Sequence, residues 1–224
     1  MRRRLAFCFR ISLLCALSAG SAAAEVERLG PTDSDGRRLG HAYGLTGEIR
    51  PGDTERLARL FDADRADPRS AVSVLRPARG VLGALDLQLD SPGGDIEEAI
   101  RLGRWLRATG GMATVEEGAM CASACVLVLA GAVNRITPGS VVVHRHFFDS
   151  IEPLHAAKAW QRTQESIRSY LREMNVPGGL LDLALEASPE EGRPLTLEEK
   201  RRFLLSGWDP AAEEERVATL ASLF

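Results

Sequence analysis

Met120-Cys121-Ala122-Ser123-Ala124-Cys125 runs straight into the apolar stretch Val126 to Ala132. A segment apolar on every side is a buried one, so the spacing predicts an interior helix over Cys121–Ala132. The turn Glu117-Gly118-Ala119 precedes it, and Ser123 falls in its first turn. Backbone N–H groups at a helix start lack intrahelical acceptors and favour developing negative charge. Ser123 is therefore a candidate nucleophile; as a plain helix cap it would need no partner.

Outward from this stretch the pattern alternates. Ala84 to Asp90 has period two and predicts a strand. It ends in Ser91-Pro92-Gly93-Gly94, after which Asp95 opens a helix through Ile96, Ala99, Ile100, Gly103 and Leu106 that stops at Gly110-Gly111. Met112 to Val115 is the next strand, and Val141-Val142-Val143-His144 is a buried strand ending in histidine. Strand and helix in alternation argue for βα units and an α/β fold. Upstream, Ala42 to Ile49 contains a short strand, and Asp53 or Thr54 caps a helix through Leu57, Leu60 and Phe61. Asp62 to Arg79 reads as a loop with a short strand at Val72–Leu75. Downstream, Glu152 to Asn175 suits one long amphipathic helix. Helical pieces follow at Leu180–Ala187, at Leu197–Leu205 with Thr196 and Glu199 at capping-box spacing, and from Ala211 to the end.

Four groups from these elements make a catalytic set. Ser123 is the nucleophile and His144 its base, with His146 two residues on as the alternative base. The N–H groups of Gly94 and Ala124 form a two-donor oxyanion hole, because glycines with φ > 0 let backbone approach a substrate closely.

Residues 1–24 read as a secretory signal peptide: Arg2-Arg3-Arg4, a mostly apolar Leu5 to Leu17, and Ala22-Ala23-Ala24 before Glu25. The alternative is an uncleaved anchor, for which the apolar stretch is short of the roughly 20 residues a spanning helix needs. Residues 25–40 are polar and read as a flexible leader, leaving 41–224 as one α/β domain. The expected location is periplasmic or secreted. Removal of the leader takes Cys8 and Cys15 with it. In an oxidising compartment the remaining Cys121 and Cys125 form a disulfide, with α-carbons about 6 Å apart if both lie on one helix. The competing use of these cysteines is a zinc site shared with His144 and His146, for which three intervening residues are tight.

From Ala84 to His144 the chain resembles the proteolytic subunit of the Clp protease, within the ClpP/crotonase superfamily. The matching residues are Leu89-Asp90-Ser91-Pro92-Gly93-Gly94, Ala122-Ser123-Ala124, Gly131, Arg135 and Val143-His144. The separation of Ser91 from Ser123 is that of the family, and the cysteine bracket with an export signal is more like predicted periplasmic Clp-like proteins. The resemblance implies a ClpP/crotonase-like core of stacked βα units (a ββα superhelix) with a C-terminal helical segment. It also implies Ser123 as nucleophile, His144 as base, Gly94 and Ala124 as oxyanion donors, and assembly into homo-oligomers. Arg135 is expected to be structural, paired with a carboxylate near the active-site turn. The family's third catalytic residue, an aspartate, has no counterpart: the corresponding place falls around Glu186 to Ser188, with Asp182 and Glu186 only nearby.

Net charge is −3 and the basic residues are scattered, which excludes a nucleic-acid surface. The expected activity is peptide hydrolysis without metal or cofactor and without an ATP-dependent unfoldase. The reading from a different class is a catalytically silent binding or scaffold module. Acyl-CoA chemistry conflicts with export. A serine–lysine dyad has only Lys158 and Lys200 to draw on, neither at a matching position.

Overall fold

Leu85, Leu87 and Leu89 are buried while the residues between them are not, so one face of this segment supplies core and the other does not. Around it the computed structural model describes residues 24–29, 42–67, 85–145, 153–188 and 191–221. Strands β1 (Glu25–Arg28), β2 (Ala42–Thr46), β3 (Asp86–Asp90), β4 (Met112–Thr114), β6 (Asn134–Ile136) and β9 (Gly207–Trp208) form one sheet in the order β1-β2-β3-β4-β6-β9. Strands β5 (Met120–Ala122), β7 (Ser140–Val143) and β8 (Arg193–Pro194) form a second, in the order β5-β7-β8. β2, β3, β4 and β6 are mutually parallel, as are β5 and β7. The helices are α1 (Asp53–Ala66), α2 (Ile96–Ala108), α3 (Cys125–Gly131), α4 (Pro153–Glu173), α5 (Gly179–Glu186), α6 (Leu197–Arg202) and α7 (Pro210–Ala221). The α/β core and the C-terminal helical segment agree with the sequence reading.

Two local readings change. The interior helix begins at Cys125, not Cys121, because Met120–Ala122 pairs with Ser140–Val142 as a strand and Ser123 occupies the turn between strand and helix. The leader assigned to residues 25–40 is not featureless at its start. Glu25–Arg28 lies antiparallel to β2, with Val26 packed on the core and Arg28 paired to Asp64 at 3.0 Å. A four-residue edge strand with one inward apolar side chain is too short to register as a periodic pattern. The signal-peptide segment before Ala24, the Val72–Leu75 strand and His146 lie outside the described residues. Among the described residues no helix is long and apolar enough to cross a membrane.

α3 is the hub of the core, every residue of it buried. It crosses α2 where two glycines meet. A Cβ on Gly131 would lie 2.3 Å from the Gly103 carbonyl oxygen and 2.5 Å from its Cα. The absent side chain on Gly103 also makes room for the Tyr170 hydroxyl, which donates to the Leu127 carbonyl at 2.7 Å. Because backbone meets backbone there, nothing can swing aside. Gly131→Ala is therefore expected to cost about 1–3 kcal/mol by overpacking, read as a lowered urea midpoint with unchanged slope. An unchanged midpoint would mean that the helices do not cross at these glycines.

Candidate active site

Three parallel strand ends converge. Ser91 follows β3 directly and is bridged to Cys121 of β5: its N–H donates to Met120 at 2.7 Å, and its carbonyl accepts from Ala122 at 2.9 Å. Ala122 of β5 is registered with Val142 of β7. Ser123, one residue past β5, donates its N–H to the Val142 carbonyl at 3.0 Å, and His144 is the first residue past β7. Ser123 and His144 thus leave the carboxyl ends of neighbouring strands, spaced about 4.8 Å apart in any sheet. In α/β proteins these ends are where ligands bind.

Ser123 takes φ +54°, a left-handed conformation that costs a residue with a side chain about 1–3 kcal/mol. Strained strand-to-helix turns of this kind expose a nucleophile at the top of a sheet. Two covalent and packing constraints hold it. The Cys121–Cys125 disulfide spans the turn with α-carbons 5.3 Å apart and both cysteines fully buried. The bridge therefore joins a strand end to a helix start and does not lie along one helix as expected. Both sulfurs are spent in it, so the zinc alternative has no thiolates to use. The Gly93 turn presses on Ser123 from the other side.

That turn is Ser91-Pro92-Gly93-Gly94. The Ser91 hydroxyl accepts the Gly93 N–H at 3.1 Å, the Gly93 carbonyl accepts from Ile49 at 2.7 Å, and Asp95 donates to Ile49 at 2.9 Å. Gly93 and Gly94 have φ +105° and +138°. A Cβ on Gly93 would sit 2.7 Å from the Ser123 Cβ and 2.9 Å from the Ala124 nitrogen, so the missing side chain is what leaves space before that N–H. Neither the Gly94 nor the Ala124 N–H donates to any group among the described residues.

In front of Ser123 opens a pocket of roughly 480 Å³, its mouth included. Among the described residues Ser123 and His144 supply the only hydroxyl and ring nitrogens on its lining, and the walls are apolar: Ile96 and Leu127, Ile167 and Leu171 from α4, Leu180 and Leu181 from α5. No carboxylate among the described residues lines it. Asp182 points to solvent and binds Arg168 at 2.6 Å, and Glu186 is exposed. His144 is half-buried, and its Nδ1 lies 3.0 Å from the Arg145 carbonyl oxygen. Lys200 is buried elsewhere, donating to the Thr137 and Gly139 carbonyls at 2.9 and 2.6 Å, and burial lowers its pKa. Lys158 is exposed on α4, so neither lysine reaches Ser123's pocket.

Arg135 is structural as expected, but its carboxylate is Asp209, far along the chain. Its Nη2 donates to the Ala130 carbonyl at 2.7 Å, at the C-terminal end of α3, and lies 3.7 Å from Asp209. Asp209 had no place in the sequence reading. Its one signal is Asp209-Pro210, a cap residue followed by proline at the first helical position.

No family model matches the sequence, and no curated protein matches it. Solved structures do. A mutant of ClpP1 from Listeria monocytogenes superposes with a TM-score of 0.52 at 14% identity, covering 77% of this chain and 94% of that one. A serine-to-alanine mutant of 1510-N, a membrane-bound stomatin-specific protease, gives 0.50 at 16% identity, covering 78% and 82%. At such identity the likeness is one of fold, and the chain has a ClpP-like α/β fold.

Proposed function

We propose that the protein is a serine hydrolase that cleaves peptides beside an apolar residue. The observation that carries this reading is the shared pocket: a strained, half-buried serine and a histidine face one apolar cavity, with Ala124 on its lining and its N–H given to no group among the described residues. In the proposed reaction the apolar side chain of the substrate fills the cavity and brings the scissile carbonyl over Ser123. His144 takes the Ser123 proton as Oγ attacks, and the N–H groups of Gly94 and Ala124 receive the oxyanion. His144 then protonates the leaving amine, and water activated by the same ring releases the acyl group. The buried disulfide suits an oxidising compartment, and export and homo-oligomeric assembly are part of the proposal.

The second reading, a silent scaffold, draws on the lack of a carboxylate on the pocket lining among the described residues. A fluorophosphonate probe separates the two. Oxidised wild-type protein is expected to be labelled at Ser123, with Ser123→Ala unlabelled and equally folded by circular dichroism. Folded wild type that resists the probe and leaves a panel of apolar peptides and esters intact would establish the scaffold instead.

A further inference from the structure

A serine–histidine pair needs the imidazole held with its proton on Nδ1, so that Nε2 is free to accept from the hydroxyl; the wrong tautomer is what disables a triad whose acid has been neutralised. We propose that the Arg145 main-chain carbonyl does this holding, in place of a side-chain acid, which makes Arg145 a positioning residue through its backbone. The proposal rests on the Ser123/His144 reading and says how that pair works where the described residues offer no third side chain.

Three observations lead to it. His144 Nδ1 is 3.0 Å from the Arg145 carbonyl oxygen. A carbonyl oxygen has no proton to give, so this contact is a hydrogen bond only when Nδ1 carries the hydrogen. That leaves the Nε2 lone pair as the ring's free acceptor. Second, the peptide that joins His144 to Arg145 is tethered: the Arg145 N–H donates at 3.3 Å to the Ala187 carbonyl, at the residue that caps the end of α5. The region around Glu186 to Ser188, where the resemblance puts the family's acid, is thus beside His144, and what it contributes is a main-chain acceptor one link away. Third, among the described residues the pocket lining offers the ring no carboxylate, with Asp182 committed to Arg168 at the surface. A neutral carbonyl selects the same tautomer as a carboxylate does, through a weaker hydrogen bond. It gives less help to the imidazolium that forms on proton transfer, so a slow hydrolase with correct geometry is the expected outcome.

The test is ¹⁵N NMR of the oxidised wild-type protein labelled at histidine, at a pH where the ring is neutral, with the His144 signals identified by their loss in His144→Gln. The expected result is a pyrrole-type shift on Nδ1, a pyridine-type shift on Nε2 and a low-field Nδ1–H proton. Free imidazole side chains favour the opposite tautomer, so a proton on Nε2, or an averaged pair of shifts, overturns the proposal. Fluorophosphonate labelling on the same sample keeps the two claims apart. An Nδ1–H ring without labelling upholds the positioning and defeats the hydrolase; labelling with an Nε2–H ring does the reverse.

Discussion

Gly93→Ala is expected to slow acylation of Ser123 by roughly two to three orders of magnitude, the effect of losing one oxyanion donor, while the protein still folds. The added methyl would lie 2.9 Å from the Ala124 nitrogen and 2.7 Å from the Ser123 Cβ, closer than such atoms approach. It occupies the space the developing alkoxide needs. At φ +105° alanine is also strained, which tilts the turn and carries the Gly94 N–H with it. Strain alone would lower stability without touching chemistry, and Gly118→Ala measures that part. Gly118 has φ +87° with open space where its Cβ would go. Labelling kinetics and a denaturant midpoint on both variants separate the two effects. Equal labelling rates in Gly93→Ala and wild type would show that the turn does not overhang the nucleophile.

That Ser123 and His144 would come to one pocket was readable in the sequence and what surrounds them was not, a difference that follows from range. Ser91, Ser123 and His144 each stand one residue past a strand, and strand ends are visible as breaks in an apolar pattern. Once β3, β5 and β7 are neighbours, the three residues are neighbours too. The boundary between β5 and α3 was less visible. Cys121-Ala122 is apolar and small, equally suited to strand or helix, and only its pairing with Val141-Val142 decides for strand. That pairing moves Ser123 out of a helical turn into a strained one, a conformation that no propensity for serine would suggest. The Arg145 carbonyl leaves no trace in the sequence, since every residue has one. Asp209 joins Arg135 across the molecule, and neither residue's local pattern points to the other.

That distant pair carries the largest expected change in stability. Asp209 is fully buried and accepts from Arg107 at 3.2 Å, from Asn175 at 3.2 Å and from the N–H groups of Ala211 and Ala212 at 3.1 and 3.2 Å. Beside it Arg135, equally buried, binds the Ala130, Met174 and Leu204 carbonyls. The two arginines thus tie the end of α3 to the start of α7 around one negative charge. Asp209→Asn keeps the shape but leaves both guanidinium groups without a counter-charge. Burial already pulls the Arg135 pKa down to about 10, so it stays charged at neutral pH. An uncompensated buried charge costs about 3–5 kcal/mol, and at about 2–4 °C per kcal/mol in a chain of this size the melting point should fall roughly 6–20 °C. The pH dependence gives the sign. Burial raises the Asp209 pKa, but the Arg107 and Ala212 hydrogen bonds outweigh it and hold the carboxyl below the usual aspartate range. The fold therefore favours the ionised form. Its contribution is complete above the unfolded value of about 4 and is lost as pH falls through the depressed one. The gap between wild type and Asp209→Asn should be constant from pH 8 to pH 5 or so and close at lower pH, because protonated aspartate is as neutral as asparagine. A gap that persists unchanged in acid would mean that packing, not charge, is what Asp209 supplies.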